Sequence, residues 1–241
     1  MSTASALGTP GPDDAASTVP ADLLAGLFAP PVRFRAAPLR AGLAQLAPSE
    51  RALVEKAVAA RQCEFAQGRV LAHRLLENLG VADAPLLRDA DRVPLWPAGT
   101  LGSISHTRGL CAVAVARTRE VEALGLDVEL ATPLSAELRR RVCTGVERRW
   151  LEARGEAEAG ALGKALFSVK ECVYKACFPR LRERWGFQEL EVEIEPGAGR
   201  FVAVPRKGAF AGRRLAGRVA SRGRWWLAGL TLPVVGRAEQ R

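Results

Sequence analysis

At 241 residues the chain can bury a sizeable core, either as one large domain or as two smaller ones. Hydrophobic residues make up 48% and charged residues 25%, ordinary for a globular protein in water, and no apolar run approaches the roughly 20 residues of a membrane span. The net charge of +9 favours an acidic protein, a nucleotide or nucleic acid as partner, and the N-terminus lacks the pattern of a secretory signal, so the cytoplasm is the expected compartment.

Residues 1–20 are rich in Ala, Ser, Thr, Pro, Gly and Asp without an apolar period, and read as a disordered tail. From Pro48 to Gly80, Leu53, Ala57, Ala60, Phe65, Leu71 and Leu75 recur at helical spacing and predict one long helix, with Gly68 as its weak point. A Pro-punctuated loop follows over Arg88–Gly99. Strands are predicted at Leu101–His106, Leu110–Ala116 and Glu122–Leu130. Leu134–Arg154 reads as helix, Gly155–Gly163 as loop, and Ser168–Phe178 as a helix ending before Pro179. Short strands close the chain at Leu190–Ile194, Phe201–Val204, Gly217–Ala220 and Trp225–Thr231. This order predicts an α+β protein of two halves that meet near Gly125. The five cysteines are odd in number, scattered and free of Cys-x-x-Cys, which speaks against a disulfide framework or a zinc site.

Two segments carry chemistry. In Gly125-Leu-Asp-Val-Glu129, strand alternation turns Asp127 and Glu129 to one face, about 6–7 Å apart. One hard cation can bridge such a pair, although a half-buried strand with a wet polar face has the same pattern. In Phe167-Ser-Val-Lys-Glu-Cys-Val-Tyr-Lys-Ala176, Glu171 is flanked by Lys170 and Lys175, two of only five lysines. Ser168 with Glu171 also fits a capping box, and Glu171 with Lys175 an ordinary helix ion pair. Together the segments offer three carboxylates and two ammonium groups, the set that a Mg²⁺-assisted reaction on a pyrophosphate requires. His106, at the end of Gly102-Ser-Ile-Ser-His106, is one of two histidines and could donate to a phosphate beside Ser105. Arg61, Arg69, Arg88 and Arg92 add charge upstream. There is no Gly-x-Ser-x-Gly, Walker loop or dinucleotide fingerprint.

In this order, the strings Glu64-Phe65 to Gly68-Arg69, Arg92-x-Pro-x-Trp-Pro97, Gly102–His106, Gly125–Glu129 and Phe167–Ala176 resemble the surfactin- and enterobactin-type 4′-phosphopantetheinyl transferases, closest to the enterobactin synthetase component D-like branch. The resemblance covers roughly residues 61–178 and implies two similar α+β halves related by a pseudo-twofold axis, with coenzyme A between them. Residues 21–124 would form the half that carries the 3′-phosphate and adenine, and 125–241 the half with the metal and catalytic residues. By matching position, Asp127, Glu129 and Glu171 would hold Mg²⁺. Lys170 and Lys175 would contact the phosphates, and Ser105, His106, Arg61, Arg69 and Arg88 the 3′-phosphate. Arg92 would lie by the adenine. Glu171, Lys175 and Asp127 are then the catalytic residues. His73 departs from the pattern, since many relatives carry arginine there.

The resemblance further implies transfer of phosphopantetheine from coenzyme A to a serine of an apo acyl or peptidyl carrier protein. The enzyme would be a cytoplasmic monomer serving secondary-metabolite or siderophore synthesis, with no nucleic acid or membrane partner. An acidic carrier helix would meet a basic face that includes part of Arg139–Arg149 or the loop after it. Two other readings remain at this point: a basic nucleic-acid-binding protein and a non-catalytic carrier-binding protein. The first predicts clustered base-stacking aromatics, whereas this chain has one tyrosine and scattered tryptophans.

Overall fold

The computed structural model describes residues 22–234, so the segment predicted to be a tail lies outside the described residues. The chain folds as β1 (Arg33–Pro38), α1 (Pro48–Arg51), α2 (Ala59–Glu77), β2 (Thr100–Thr107), β3 (Leu110–Arg117), β4 (Val121–Leu130), α3 (Ala136–Val142), α4 (Gly145–Glu152), α5 (Glu156–Leu181), β5 (Leu190–Glu195), β6 (Arg200–Pro205), β7 (Leu215–Arg222) and β8 (Trp225–Pro233). This is the α+β class expected from the sequence.

Two antiparallel sheets organise these elements, one of order β1-β3-β2 and one of order β4-β8-β7-β6-β5. In β3 the small and branched residues alternate. Cys111, Val113 and Val115 pack on Leu71 and Leu75 of α2. Ala112, Ala114 and Ala116 turn the other way, toward Leu124, Leu126 and Val128 of β4 and toward Leu23, Leu27 and Phe28 from the start of the described chain. Each half therefore lays a helix on a sheet, and a third apolar layer joins the halves.

α5 is the central element of the second half. Ala165, Leu166, Val169, Cys172 and Val173 are fully buried against the larger sheet. Burying a single Leu or Val of this set contributes about 1.5–3 kcal/mol. The helix crosses β4 at Gly125, where a Cβ would stand 2.1 Å from the Cys172 carbonyl oxygen and 3.0 Å from the Ala176 Cβ. Gly125→Ala is therefore expected to force α5 off the strand and to cost about 3 kcal/mol or more. A thermal melt should fall by about 6–12 °C; a melt that does not move would contradict this packing.

Several boundaries differ from the sequence expectation. The predicted helix over 48–80 is a single short turn followed by α2, with Val58 as the N-cap. The predicted helix over 134–154 is two helices, because Thr144 accepts from Glu147 N and starts α4 in a capping box. Gly155–Gly163 is not a loop; apart from its capping Gly155 it forms the first turns of α5. Gly160 and Gly163 there permit close approach: a Cβ would stand 2.8 Å from Pro133 and 2.9 Å from Arg139. α5 also runs two residues past Pro179 and closes at Arg182, which adopts left-handed geometry. β1 was not foreseen. All five cysteines are free, and four are buried. Among the described residues no helix is long and apolar enough to cross a membrane.

Candidate active site

The site forms where α5 crosses β4. Lys164, Ser168, Glu171 and Lys175 are spaced 4, 3 and 4 apart and so lie along one stripe of α5. That stripe faces Asp127 and Glu129 on β4. The Asp127 carboxylate is almost fully buried. Lys175 Nζ lies 2.6 Å from its Oδ1, which also accepts from Ser105 Oγ at 3.0 Å, while Ser168 Oγ donates to Oδ2 at 2.8 Å. Lys175 Nζ donates to Ser105 Oγ as well, at 2.9 Å. Glu129 pairs with Lys164 Nζ at 2.8 Å.

Serine hydroxyls link β2 to β4. Ser103 Oγ accepts from Leu126 N at 3.0 Å and Ser105 Oγ from Val128 N at 3.2 Å. They stand in for a backbone ladder and close the cleft between the sheets beneath Asp127.

Charge in this cluster is tightly coupled. Burial pushes the Glu171 carboxyl above its ordinary range, and the neighbouring Asp127 and Glu129 push it further, against the pull of Lys175. Burial alone would lower the Lys175 ammonium, but Asp127 and then Glu171 outweigh it, so the group is raised. Three crowded carboxylates supply the hard oxygen ligands that Mg²⁺ prefers, and the penalty on Glu171 is one a divalent cation would relieve. The donors thus fit the ion in kind. Among the described residues, however, no three acidic, histidine or cysteine side chains are arranged as a metal cage; lysines stand on Asp127 and Glu129 instead.

A cavity of about 290 Å³ opens beside this cluster, with Lys175 in its wall. Arg61, Arg69, Arg88, Arg92 and Arg184 line it with His106. Arg69 is buried, donates from Nε to the Leu86 carbonyl at 2.7 Å and lies over the Phe65 ring. Burial pulls its guanidinium down to about 10, with repulsion from Arg88 and Arg61 adding to the fall and Glu50 opposing it. Five guanidinium groups around one cavity suit an anion such as phosphate. His106 Nε2 lies 2.7 Å from Arg61 and Nδ1 faces Glu64 at 3.5 Å. A guanidinium can only donate, so Nε2 faces Arg61 as the acceptor; burial lowers the pKa of the ring, with Glu64 opposing. Trp96, Tyr174 and Phe178 form the flat wall of the cavity, the last two stacked with centroids 5.0 Å apart.

Of the residues singled out in the sequence, Asp127, Glu171 and Lys175 share the cluster with Glu129, while Arg61, Arg69, Arg88, Arg92 and His106 share the cavity. Two do not take the expected places. Ser105 is turned inward and engages Asp127, Lys175 and Val128, so its hydroxyl does not line the cavity; strand alternation gives the cavity face of β2 to Gly102, Ile104 and His106 and turns Ser105, like Ser103, toward β4. Lys170 leaves α5 on another side and is buried, with Nζ 2.7 Å from Glu147, 2.8 Å from the Val142 carbonyl and 2.9 Å from the Phe187 carbonyl. Its three N–H groups are spent on these acceptors and do not reach the arginine cavity. Glu147 completes the clamp by accepting from Thr144 N and Val192 N, each at 2.7 Å.

Sequence reasoning missed Lys164, Ser168, Ser103 and Arg184. Ser168 and Lys164 were readable, since they continue the stripe of Glu171 and Lys175; Arg184 gave no signal. His73 lies off the cavity between Glu50 at 2.8 Å and Asp83 at 3.2 Å. Glu50 in turn accepts from Leu86 N, whose own carbonyl holds Arg69. On the far side of Tyr174, a second cavity of about 240 Å³ runs past Glu171 between Trp185, Phe187 and Leu190.

Comparison with known proteins identifies the family. The family model described as "4′-phosphopantetheinyl transferase N-terminal domain" matches residues 49–116. The model described as "4′-phosphopantetheinyl transferase superfamily" matches residues 123–218. The chain is 38% identical over 184 residues to the 4′-phosphopantetheinyl transferase Svp of Streptomyces mobaraensis, covering 75% of this chain and 73% of that protein. It is 34% identical over 161 residues to the 4′-phosphopantetheinyl transferase PptT of Mycobacterium tuberculosis, covering 65% and 70%. With enterobactin synthase component D of Escherichia coli K12 it shares 35% identity over 118 residues, 48% of this chain and 54% of that one. A cluster of carboxylates between a strand and a lysine-bearing helix, beside an arginine-lined cavity, is thus carried by a chain that belongs to the 4′-phosphopantetheinyl transferase superfamily, on its enterobactin synthase component D-like branch.

Proposed function

We propose that this transferase moves 4′-phosphopantetheine from coenzyme A to a serine of an apo acyl or peptidyl carrier protein and releases adenosine 3′,5′-bisphosphate. The observation that carries the reading is the position of Lys175, which joins the buried Asp127 to the arginine cavity. The cavity offers arginines to phosphates and flat rings to adenine. The groove beyond Tyr174 offers apolar walls to the uncharged pantetheine arm. Glu171 lines that groove, and Tyr174 stands in the walls of both.

Asp127, Glu129 and Glu171 would hold Mg²⁺, which when bound orients the pyrophosphate and neutralises its charge. The chain's own groups supply the rest. The carrier serine oxygen bonds to the β-phosphorus as the bond to the bridging oxygen breaks. Glu171 takes the serine proton. Lys175 stabilises the charge that develops on the leaving phosphate. Arg61, Arg69, Arg88 and His106 hold the 3′-phosphate, and Arg92 lies by the adenine. Ser105 acts one step away by fixing Asp127, and Lys170 by clamping α5 to α4.

Exposed Arg140, Arg141 and Arg149, with Leu138 and Val146 half-exposed among them, suit an acidic carrier helix. The reading includes a pseudo-twofold relation between the halves, split at residue 125, and a cytoplasmic monomer that takes no nucleic acid. Its test follows the small product. Adenosine bisphosphate should appear in step with modified carrier, stop on addition of a chelator and resume with excess Mg²⁺. Release that continues without a divalent cation would overturn the metal's part in it.

A further inference from the structure

Lys164 is unexplained by the chemistry above. It stands at the N-terminal end of the stripe on α5, with its side chain only 14% exposed and its Nζ 2.8 Å from Glu129 Oε2. Its Nζ also stands over the Phe167 ring, 4.9 Å from the centroid. At the other end of the stripe Lys175 stands on Asp127. The two carboxylates of β4 are thus each paired with an ammonium from the same helix, with Glu171 between the two lysines along the stripe.

We propose that Lys164 is the resident counter-cation of Glu129: it pairs with that carboxylate and holds it in place, and a divalent cation must displace it in order to bind. This rests on the reading of Asp127, Glu129 and Glu171 as the metal ligands. An ammonium and a dication cannot share one carboxylate oxygen without strong repulsion at these distances. Lysine is suited to yield, since its charge is a single point on a flexible four-carbon stem. The arrangement keeps three crowded carboxylates from repelling one another apart before metal arrives. Lys164 is accordingly a positioning residue that sets the concentration of divalent cation at which the enzyme loads.

The test measures metal binding rather than turnover. Mn²⁺ is titrated into the full chain, saturated with coenzyme A and free of carrier protein, and unbound Mn²⁺ is followed by its paramagnetic resonance signal. Lys164→Gln, which keeps a hydrogen-bond donor but removes the charge, should bind Mn²⁺ about five- to tenfold more tightly than the unaltered protein. Lys164→Arg, which keeps the charge, should remain within about twofold. Far-UV circular dichroism confirms that each variant is folded. Unchanged or weaker binding by Lys164→Gln overturns the proposal, as does equal tightening by Lys164→Arg. Glu129→Gln separates the two levels: if it binds Mn²⁺ as well as the unaltered protein, the metal-ligand reading itself is wrong. If it binds poorly while Lys164→Gln is unchanged, only the role of Lys164 falls.

Discussion

Asp127→Asn should leave a folded protein that has lost transfer. The substitution preserves the shape of the side chain in a site that is only 2% exposed. Ser105 and Ser168 can still hydrogen-bond to the amide, by rotating a hydroxyl where the nitrogen now sits. What disappears is the charge, and with it the partner of Lys175 at 2.6 Å and one of the three carboxylates proposed above to hold Mg²⁺. Loss of a single preorganised electrostatic group costs about 10²–10³ in rate, and here two such effects coincide. We expect kcat/KM for holo-carrier formation to fall by about 10³-fold or more, with stability lowered by no more than about 2 kcal/mol. Turnover within tenfold of the unaltered enzyme, from a sample with a normal melt, would refute the role of Asp127.

The second large effect concerns stability. Lys170→Met removes the cation from a pair in which both side chains are only 1% exposed. Glu147 would keep its bonds from Thr144 N and Val192 N but lose its counter-charge, and the Val142 and Phe187 carbonyls would lose their donor. Breaking a buried pair from one side costs about 3–5 kcal/mol, chiefly through the charge left behind. Urea denaturation of Lys170→Met should show a loss of that size, and adding Glu147→Gln should recover part of it. If Lys170→Met instead unfolds at the same urea concentration yet fails to transfer, Lys170 touches substrate, as the sequence pattern suggested, and the clamp is incidental.

Lys170 also shows where the sequence stops being informative. Lysines on both sides of Glu171 invited one role for both. Helical geometry separates them: residues 171 and 175 share a face, whereas 170 lies about 100° away. That rotation was readable; its destination was not, because Glu147, Val142 and Phe187 come from three other segments. Asp127 and Glu129 were legible because strand alternation alone puts them on one face. Ser105 was misplaced for want of knowing which face of β2 meets β4. The first turns of α5 were hidden because Gly155, Gly160 and Gly163 read as loop, whereas two of them serve close packing against Pro133 and Arg139. The short edge strand β1 carries too weak an alternation to stand out from its loops.

Intact-mass spectrometry of apo carrier proteins tests the central claim most directly. Carriers from fatty-acid, polyketide and peptide synthases would each be incubated with this protein, coenzyme A and Mg²⁺. The predicted result is a gain of one phosphopantetheine on at least one carrier, at its serine, absent with a chelator and absent with Asp127→Asn. No gain on any carrier, from a folded sample, would contradict the reading; so would a gain that Asp127→Asn supports equally well.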